Sequence, residues 1–456
     1  MTPLLQPPLL VRLALRNSGW LASDAFLRVA ATTVVSLWVA RQLGPAAFGL
    51  LNFASALAAL FAGAALMGPE VPAVLRLTRS CRDGTRNARD ERTWLGTLLA
   101  LRLGSALLAT AAAALAAAWL ATSDAQRWLA WIGALSIAAA APSAVDAGFR
   151  ARLCAGPPAR ARSAAALAGA AARVAAVLGG AGLQGLATVL VAEAALTSAL
   201  LWRAWTATAG QAPSLRDARP DAAAELLRAA LPYAAIGSAT LLMMKGDVVL
   251  LGHLASARQT GVYALAQKMS EVVCIVPVAL ADAAYPFIQR HLSADVSGLA
   301  PEAPPEAAGQ LMFDTVFGAT FIAVIVAVAV APPLVQALFG SDYDAAAALF
   351  RWHAWTCLPV ALDVARLRWL AVSGPGVRAA WPAAAVGALL SLGLNLWAVR
   401  GFGPAGAVGV ALLSYTAMGL GMSFAVPALR PVARMQWRAL WPWQRLAQAW
   451  RQGRGA

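Results

Sequence analysis

Charge is what this chain has little of. Only 12% of its 456 residues are charged while 60% are hydrophobic, and the mean hydropathy is +0.65. A soluble domain carries about 25% charged residues, so this composition excludes one and points to a membrane protein. Lysine occurs only at Lys245 and Lys268, and there are three histidines. The four cysteines, Cys81, Cys154, Cys274 and Cys357, are scattered without a C-x-x-C or another ligand spacing, so neither a disulfide nor a metal is expected. No P-loop G-x-x-x-x-G-K-[ST] occurs, which argues against direct use of ATP, and no residue pattern calls for a cofactor.

What charge there is leans strongly positive, +15 net. In a soluble protein that excess would suggest nucleic acid. Here the arginines cluster at the ends of apolar runs, so topology explains them and no nucleic acid is expected. A helix needs about 20 apolar residues to cross the bilayer core. Runs of that kind fall at 17–41, 48–68, 94–120, 128–149, 163–181 and 183–205, and again at 226–254, 260–288, 311–339, 345–372, 379–399 and 405–429. The expected fold is an all-α polytopic membrane protein of about twelve transmembrane helices. Its parts are a six-helix lobe over 1–205, a linker over 206–225, a second six-helix lobe over 226–429 and a basic, tryptophan-rich tail over 430–456.

Cytoplasmic loops hold the excess of Lys and Arg. Arg76, Arg79, Arg82, Arg86, Arg89 and Arg92 follow the second run, and Arg150, Arg152, Arg160 and Arg162 follow the fourth. Arg203, Arg216, Arg219 and Arg228, then Arg366, Arg368 and Arg378, and finally the tail agree with them, so both termini are expected in the cytoplasm. The loop over 291–309, with Asp295, Glu302 and Glu306, is the one weak vote. Arg12 and Arg16 follow a short apolar stretch, the reverse of a secretory signal, so an interfacial helix leading into the first span is expected. The tail mixes arginine with Trp437, Trp441, Trp443 and Trp450, the composition of a helix lying on anionic membrane lipids.

Two turns share a pattern. Arg41, Gly44, Pro45 and Ala46 have the spacing of Arg400, Gly403, Pro404 and Ala405, and a looser echo places Gly261 in the role of Gly49. Glycine permits the backbone of a tight corner, and proline starts the next helix without losing a needed N–H. Recurrence at matched positions suggests that both halves share one six-helix design.

Several ionisable residues lie well inside the runs, where each costs roughly 2.5 to 3.5 kcal/mol and normally faces a bundle interior or a watery cavity. Asp24 with Arg28, Lys268 with Glu271 and Asp363 with Arg366 are three or four residues apart and could neutralise one another on one helix face. Lys245 and Asp247, two apart, must find partners on other helices or in a substrate. Arg102 and Arg173 have no acidic partner at helical spacing, which favours a cationic cavity, with snorkelling as the alternative for Arg102. Glu193, Asp282 and Asp314 complete the buried set, and His353 reads as a packing residue.

The stretch "ARQLGPAAFGLLNFASAL" resembles the first-hairpin signature of the polysaccharide-export (Wzx-like, O-antigen) flippases of the multidrug/oligosaccharidyl-lipid/polysaccharide (MOP) superfamily. "LPYAAIGSATLLMMKGDVVLLGHL", "GVYALAQKMSEVVCIVPVALADAAYPFI", "APPLVQALFGSDYDAAAALFRWHAW" and "LNLWAVRGFGPAGAVGVALLSY" are similar to that family's pattern, in family order. The family has an acidic residue after an arginine ending its second span, whereas here Arg76 is followed by Leu77. The resemblance implies a V-shaped, MATE-like pair of pseudo-symmetric lobes in the bacterial inner membrane. It implies translocation of an undecaprenyl-pyrophosphate-linked oligosaccharide by alternating access, driven by a proton or sodium gradient, beside a polymerase and glycosyltransferases.

On this reading Arg28, Arg173, Lys268, Lys245 and Arg102 are the candidate cationic, substrate-binding residues. Asp24, Asp247, Glu271 and Glu193 are the candidates for ion coupling or charge pairing. A drug or cation antiporter of the same superfamily would call for an acidic cavity, and a membrane enzyme such as a polysaccharide polymerase would call for a sizeable outer loop or an acidic metal motif. The longest expected loops are short and cytoplasmic and lack D-x-D.

Overall fold

Glycine and proline set the corners of the architecture. In the computed structural model, which describes residues 7–82, 88–210, 212–284, 305–373 and 381–445, helix α1 (Pro7–Ala62) breaks at Gly44, whose φ is 74° and ψ 171°. That backbone region is open essentially to glycine alone. Pro45 then opens the next helical stretch. The late turn repeats the device, with Gly403 at φ 57° ahead of Pro404.

The regular structure is all helical, and no strand occurs among the described residues. Nine of the helices described are long and apolar enough to cross a bilayer. Two of them, Ser23–Ala62 and Ala385–Ala425, each contain one of these glycine breaks and so hold two of the expected runs apiece. The expected tenth run forms α11 (Asp344–His353), a 3₁₀ turn and α12 (Cys357–Ser373). The chain is thus the multi-pass membrane protein that its hydropathy indicated.

Several boundaries differ from expectation. After a π-helical turn, Gly63–Met67, the second span continues as α2 (Glu70–Arg82), so Arg76 and Arg79 ride on a helix and not in a loop. Arg150 lies in the last turn of α5 (Asp146–Ala151), and Arg160 and Arg162 lie in the first turns of α6 (Gly156–Leu178), which starts seven residues before the expected 163. Charged side chains shortened the apolar windows there, while the backbone hydrogen bonds continued through them. Residues 1–6, Arg86, 291–304, Arg378 and Trp450 lie outside the described residues.

Two compact units divide the chain. The first comprises Met1–Leu43 and Leu50–Leu241, the second Gly44–Gly49 and Leu242–Ala456. In the first, α3 (Ala88–Leu120), α4 (Asp124–Ala140), α6 and α7 (Gly182–Ala209) pack together. Trp205 fills the base of this core, edge-on to Phe149 at 5.1 Å, in space that Gly148 leaves open. The connection after α7 is tied down, because the Arg219 N–H donates to Thr97 Oγ1 at 3.1 Å and Ser214 presses its carbonyl onto Gly96.

In the second unit, α8 (Pro220–Leu254, from residue 242 onward) precedes α9 (Ala257–Val273), whose helical course resumes over 275–284. Gly49 and Gly261 meet backbone to backbone. A Cβ on Gly49 would collide with the Ala257 carbonyl, and one on Gly261 with the Pro45 carbonyl. Gly49 therefore serves the approach to α9, not, as its position in the hairpin suggests, the start of its own helix beside the preceding one. Helices α10 (Pro305–Phe339) and α12 enclose a core of Phe313, Val316, Leu362 and Trp369. Helix α13 (Trp381–Thr416) and the short α14 (Met422–Ala425) follow. Helix α15 (Arg430–Ala439) closes that core with Val432 and Met435 while Arg434, Trp437 and Arg438 stay exposed.

Candidate functional site

Among the described residues, the candidate site residues fall into three groups of charged side chains, two in the first unit and one in the second. The largest joins α1, α2, α3, α5 and α6. Asp24, its side chain almost wholly buried, accepts from Arg28 Nε at 3.2 Å, Arg162 Nε at 2.9 Å and Ser163 Oγ at 3.0 Å. Arg162 also donates to Asp146 at 2.8 Å, and Asp146 accepts from Arg150 at 3.0 Å. Arg150 reaches Glu70 at 3.1 Å, and Arg102 lies 3.6 Å from the same carboxylate while donating to Ser143 Oγ at 3.2 Å.

Four guanidinium groups thus face three carboxylates, leaving one positive charge in excess. Arg102 and Arg162 are enclosed. Arg28 and Arg150 have side chains 41% and 57% exposed and are the two arginines of the web able to meet a ligand. The local pairing of Asp24 with Arg28 is present, but Asp24 is shared across helices, so Arg28 is not its sole counter-ion.

The second group is the ion pair of Arg173 with Glu193, which links α6 to α7. Gly169 makes room for it, since a Cβ there would collide with the Glu193 carboxylate. The sequence offered Arg173 no partner at helical spacing, and the partner comes from the next helix. Arg102 finds Glu70 and Ser143 in the same way, so it is enclosed and does not snorkel.

The third group lies in the second unit. Lys245 Nζ donates to Glu271 at 2.8 Å. Glu271 thereby takes its hydrogen bond from α8, whereas the sequence paired it with Lys268, three residues away on its own helix; Lys268 stays within electrostatic reach. Asp247 is buried, accepts from the Tyr263 hydroxyl, from Gln267 Nε2 at 3.3 Å and from the Val248 N–H at 2.7 Å. The partners expected for Lys245 and Asp247 on other helices are present. His353 is buried with its ring 5.8 Å from that of Tyr263, and neither ring nitrogen has a hydrogen-bond partner among the described residues.

Asp363 pairs with Arg366 as its spacing indicated. Asp282 meets Arg368 at 2.6 Å, and Asp314 takes two hydrogen bonds from Arg445, at 2.6 and 2.9 Å. The Arg445 guanidinium is held above its ordinary pKa chiefly by its hydrogen bond to Asp314.

Sequence reasoning passed over Glu70, Asp146, Arg150 and Arg162 as site residues, because arginines near a span's end were counted for topology. One signal was available, the four-residue spacing of Asp146 and Arg150. Tyr263 and Gln267 were also missed, although with Glu271 they form an i, i+4, i+8 stripe on α9.

The polysaccharide biosynthesis protein family model matches residues 14–291. The chain belongs to that family. Among solved structures it is similar to the lipid II flippase MurJ in an inward closed conformation, with a TM-score of 0.68 and 10% identity over 92% of this chain and 90% of that one. It is also similar to an inward-facing multidrug resistance MATE transporter of the MOP superfamily, with a TM-score of 0.61 and 14% identity over 91% and 96%. The MATE multidrug transporter DinF-BH gives 0.56 and 15% over 92% and 96%. This family member therefore has the MOP-superfamily fold, which flippases and drug transporters share. No curated protein matches the chain significantly.

Proposed function

We propose that this protein translocates a polyprenyl-diphosphate-linked oligosaccharide from the cytoplasmic to the outer leaflet of a bacterial inner membrane, for surface polysaccharide biosynthesis. The observation that carries the reading is the arginine excess around Asp24. A diphosphate offers many acceptor oxygens and no donors, and guanidinium groups bind it with paired N–H donors. A drug cation would be repelled by the same web.

Each residue then has a defined task. Arg28 engages the diphosphate from α1, with Arg102 and Arg162 holding the carboxylates that orient it. Lys268, on α9 of the second unit, supplies a point charge of its own to the anionic cargo. Asp247 and Glu271, with Lys245 between them in charge, form the centre through which a proton or sodium gradient acts. The two lobes alternate access to the polar path while the lipid tail stays in the bilayer. The transport step forms and breaks no covalent bond. Both termini lie in the cytoplasm; glycosyltransferase partners supply the lipid before the transport step and a polymerase takes it up after it.

The test is surface display. Arg28→Ala and Lys268→Ala are each expected to abolish display of the polysaccharide at normal membrane levels of protein. Wild-type display by both variants would overturn the cationic-cavity reading.

A further inference from the structure

A cavity of about 280 Å³ opens in the first unit between the second half of α1, α4 and α7. It stands near the small end of ligand pockets, about 300 Å³, which is room for one ring and not a chain. Alanines at 58, 59, 62, 140 and 194 leave the space open. Its polar wall consists of Ser55, Ser136, Thr197 and Glu193.

The hydrogen-bonding capacity of this wall is one-sided. The hydroxyl hydrogens are already committed to helix carbonyls, Ser55 to Leu51 at 2.9 Å, Ser136 to Gly133 at 2.6 Å and Thr197 to Glu193 at 2.8 Å. Their oxygens remain as acceptors. Glu193 gives one carboxylate oxygen to Arg173, and its other oxygen accepts no hydrogen bond among the described residues. Behind it, outside the lining, Arg173 fixes that carboxylate from α6. A cation finds Glu193 already neutralised, and a phosphate, which only accepts, meets mostly acceptors. A ligand rich in hydroxyl donors fits all of these groups.

The geometry points to this cavity as a subsite for one sugar ring of the cargo, with Glu193 and the three hydroxyl oxygens accepting from neighbouring sugar hydroxyls and Arg173, outside the lining, holding the Glu193 carboxylate in place. The inference rests on the flippase reading but uses a different place, away from the arginine web that receives the diphosphate. Glu193 and Arg173 then act as a neutral pair that reads the glycan.

The experiment measures binding of two probes to the full-length protein in nanodiscs, undecaprenyl diphosphate and the same lipid bearing one neutral hexose. The wild-type protein is expected to bind the glycosylated lipid about tenfold more tightly, the gain of one or two well-made hydrogen bonds. Glu193→Ala and the cavity-filling Ala59→Phe should each remove that preference and leave affinity for the bare diphosphate within about twofold. Glu193→Gln, which keeps the shape, should lose part of it. Equal binding of both lipids by the wild type, or equal weakening of both by Glu193→Ala, would overturn the subsite while leaving the flippase reading intact. Binding of neither lipid by the wild type would overturn both.

Discussion

Removing the Asp24 carboxylate should separate what holds the first unit together from what meets the cargo. Asp24 has a side chain 2% exposed and carries three hydrogen bonds, from Arg28, Arg162 and Ser163. Deleting one partner of a buried ion pair costs about 3–5 kcal/mol, because the charge left behind is uncompensated. Arg162 retains Asp146 at 2.8 Å, so Asp24→Ala should fall at the low end, about 3 kcal/mol. Arg28→Ala presents the opposite case. Its side chain is 41% exposed, and Asp24 keeps Arg162 and Ser163, so the loss should be that of a partly solvated pair, about 1 kcal/mol or less. Thermal unfolding of the purified variants in one detergent should therefore rank wild type and Arg28→Ala close together and Asp24→Ala well below. Surface display should rank them differently, with Arg28→Ala as inactive as Asp24→Ala. Equal destabilisation by the two variants would refute the assignment of Arg28 to cargo and return it to the scaffold.

Other expectations follow from particular contacts. Gly44→Ala places an L side chain at φ 74° and ψ 171° and should cost about 1–3 kcal/mol, read as a lowered unfolding midpoint. Gly261→Val forces apart the backbones of Pro45, Gly49 and α9 and should cost about as much again, with cysteine pairs introduced at Ala46 and Arg258 reporting slower crosslinking. Arg445→Ala strips a bidentate partner from buried Asp314 and should destabilise by about 3 kcal/mol, with fluorescence of the tail tryptophans shifting as α15 loosens.

Much of the backbone could be read in the chain itself. Gly44–Pro45 and Gly403–Pro404 marked both corners because a positive φ has few substitutes for glycine, and a local constraint leaves a local mark. The apolar runs likewise gave the order of the helices. Their ends were less legible at residues 70–82 and 156–162, because hydropathy falls wherever arginine appears while the helix continues. The charge partners were the least legible. Glu193 answers Arg173 from 20 residues away, and Ser143 answers Arg102 from 41 away, and neither separation has a periodic signature. Where the partner sat on the same helix, as with Asp363 and Arg366, the spacing alone named it. Glu271 shows the limit of that rule, since Lys245 reaches it from another helix. The sharing of Asp24 among three donors could not be read from its spacing to Arg28.

The central claim is that this chain moves a finished lipid-linked oligosaccharide across the membrane. The most direct measurement is the leaflet distribution of that lipid in a strain lacking the protein, read by the accessibility of its glycan to a glycosidase added outside spheroplasts. The account predicts that the lipid accumulates in the cytoplasmic leaflet, protected from the enzyme, and that restoring the protein makes it accessible. Absence of the lipid from both leaflets would contradict the account and point to a synthetic role, and undiminished outer accessibility would contradict it as well.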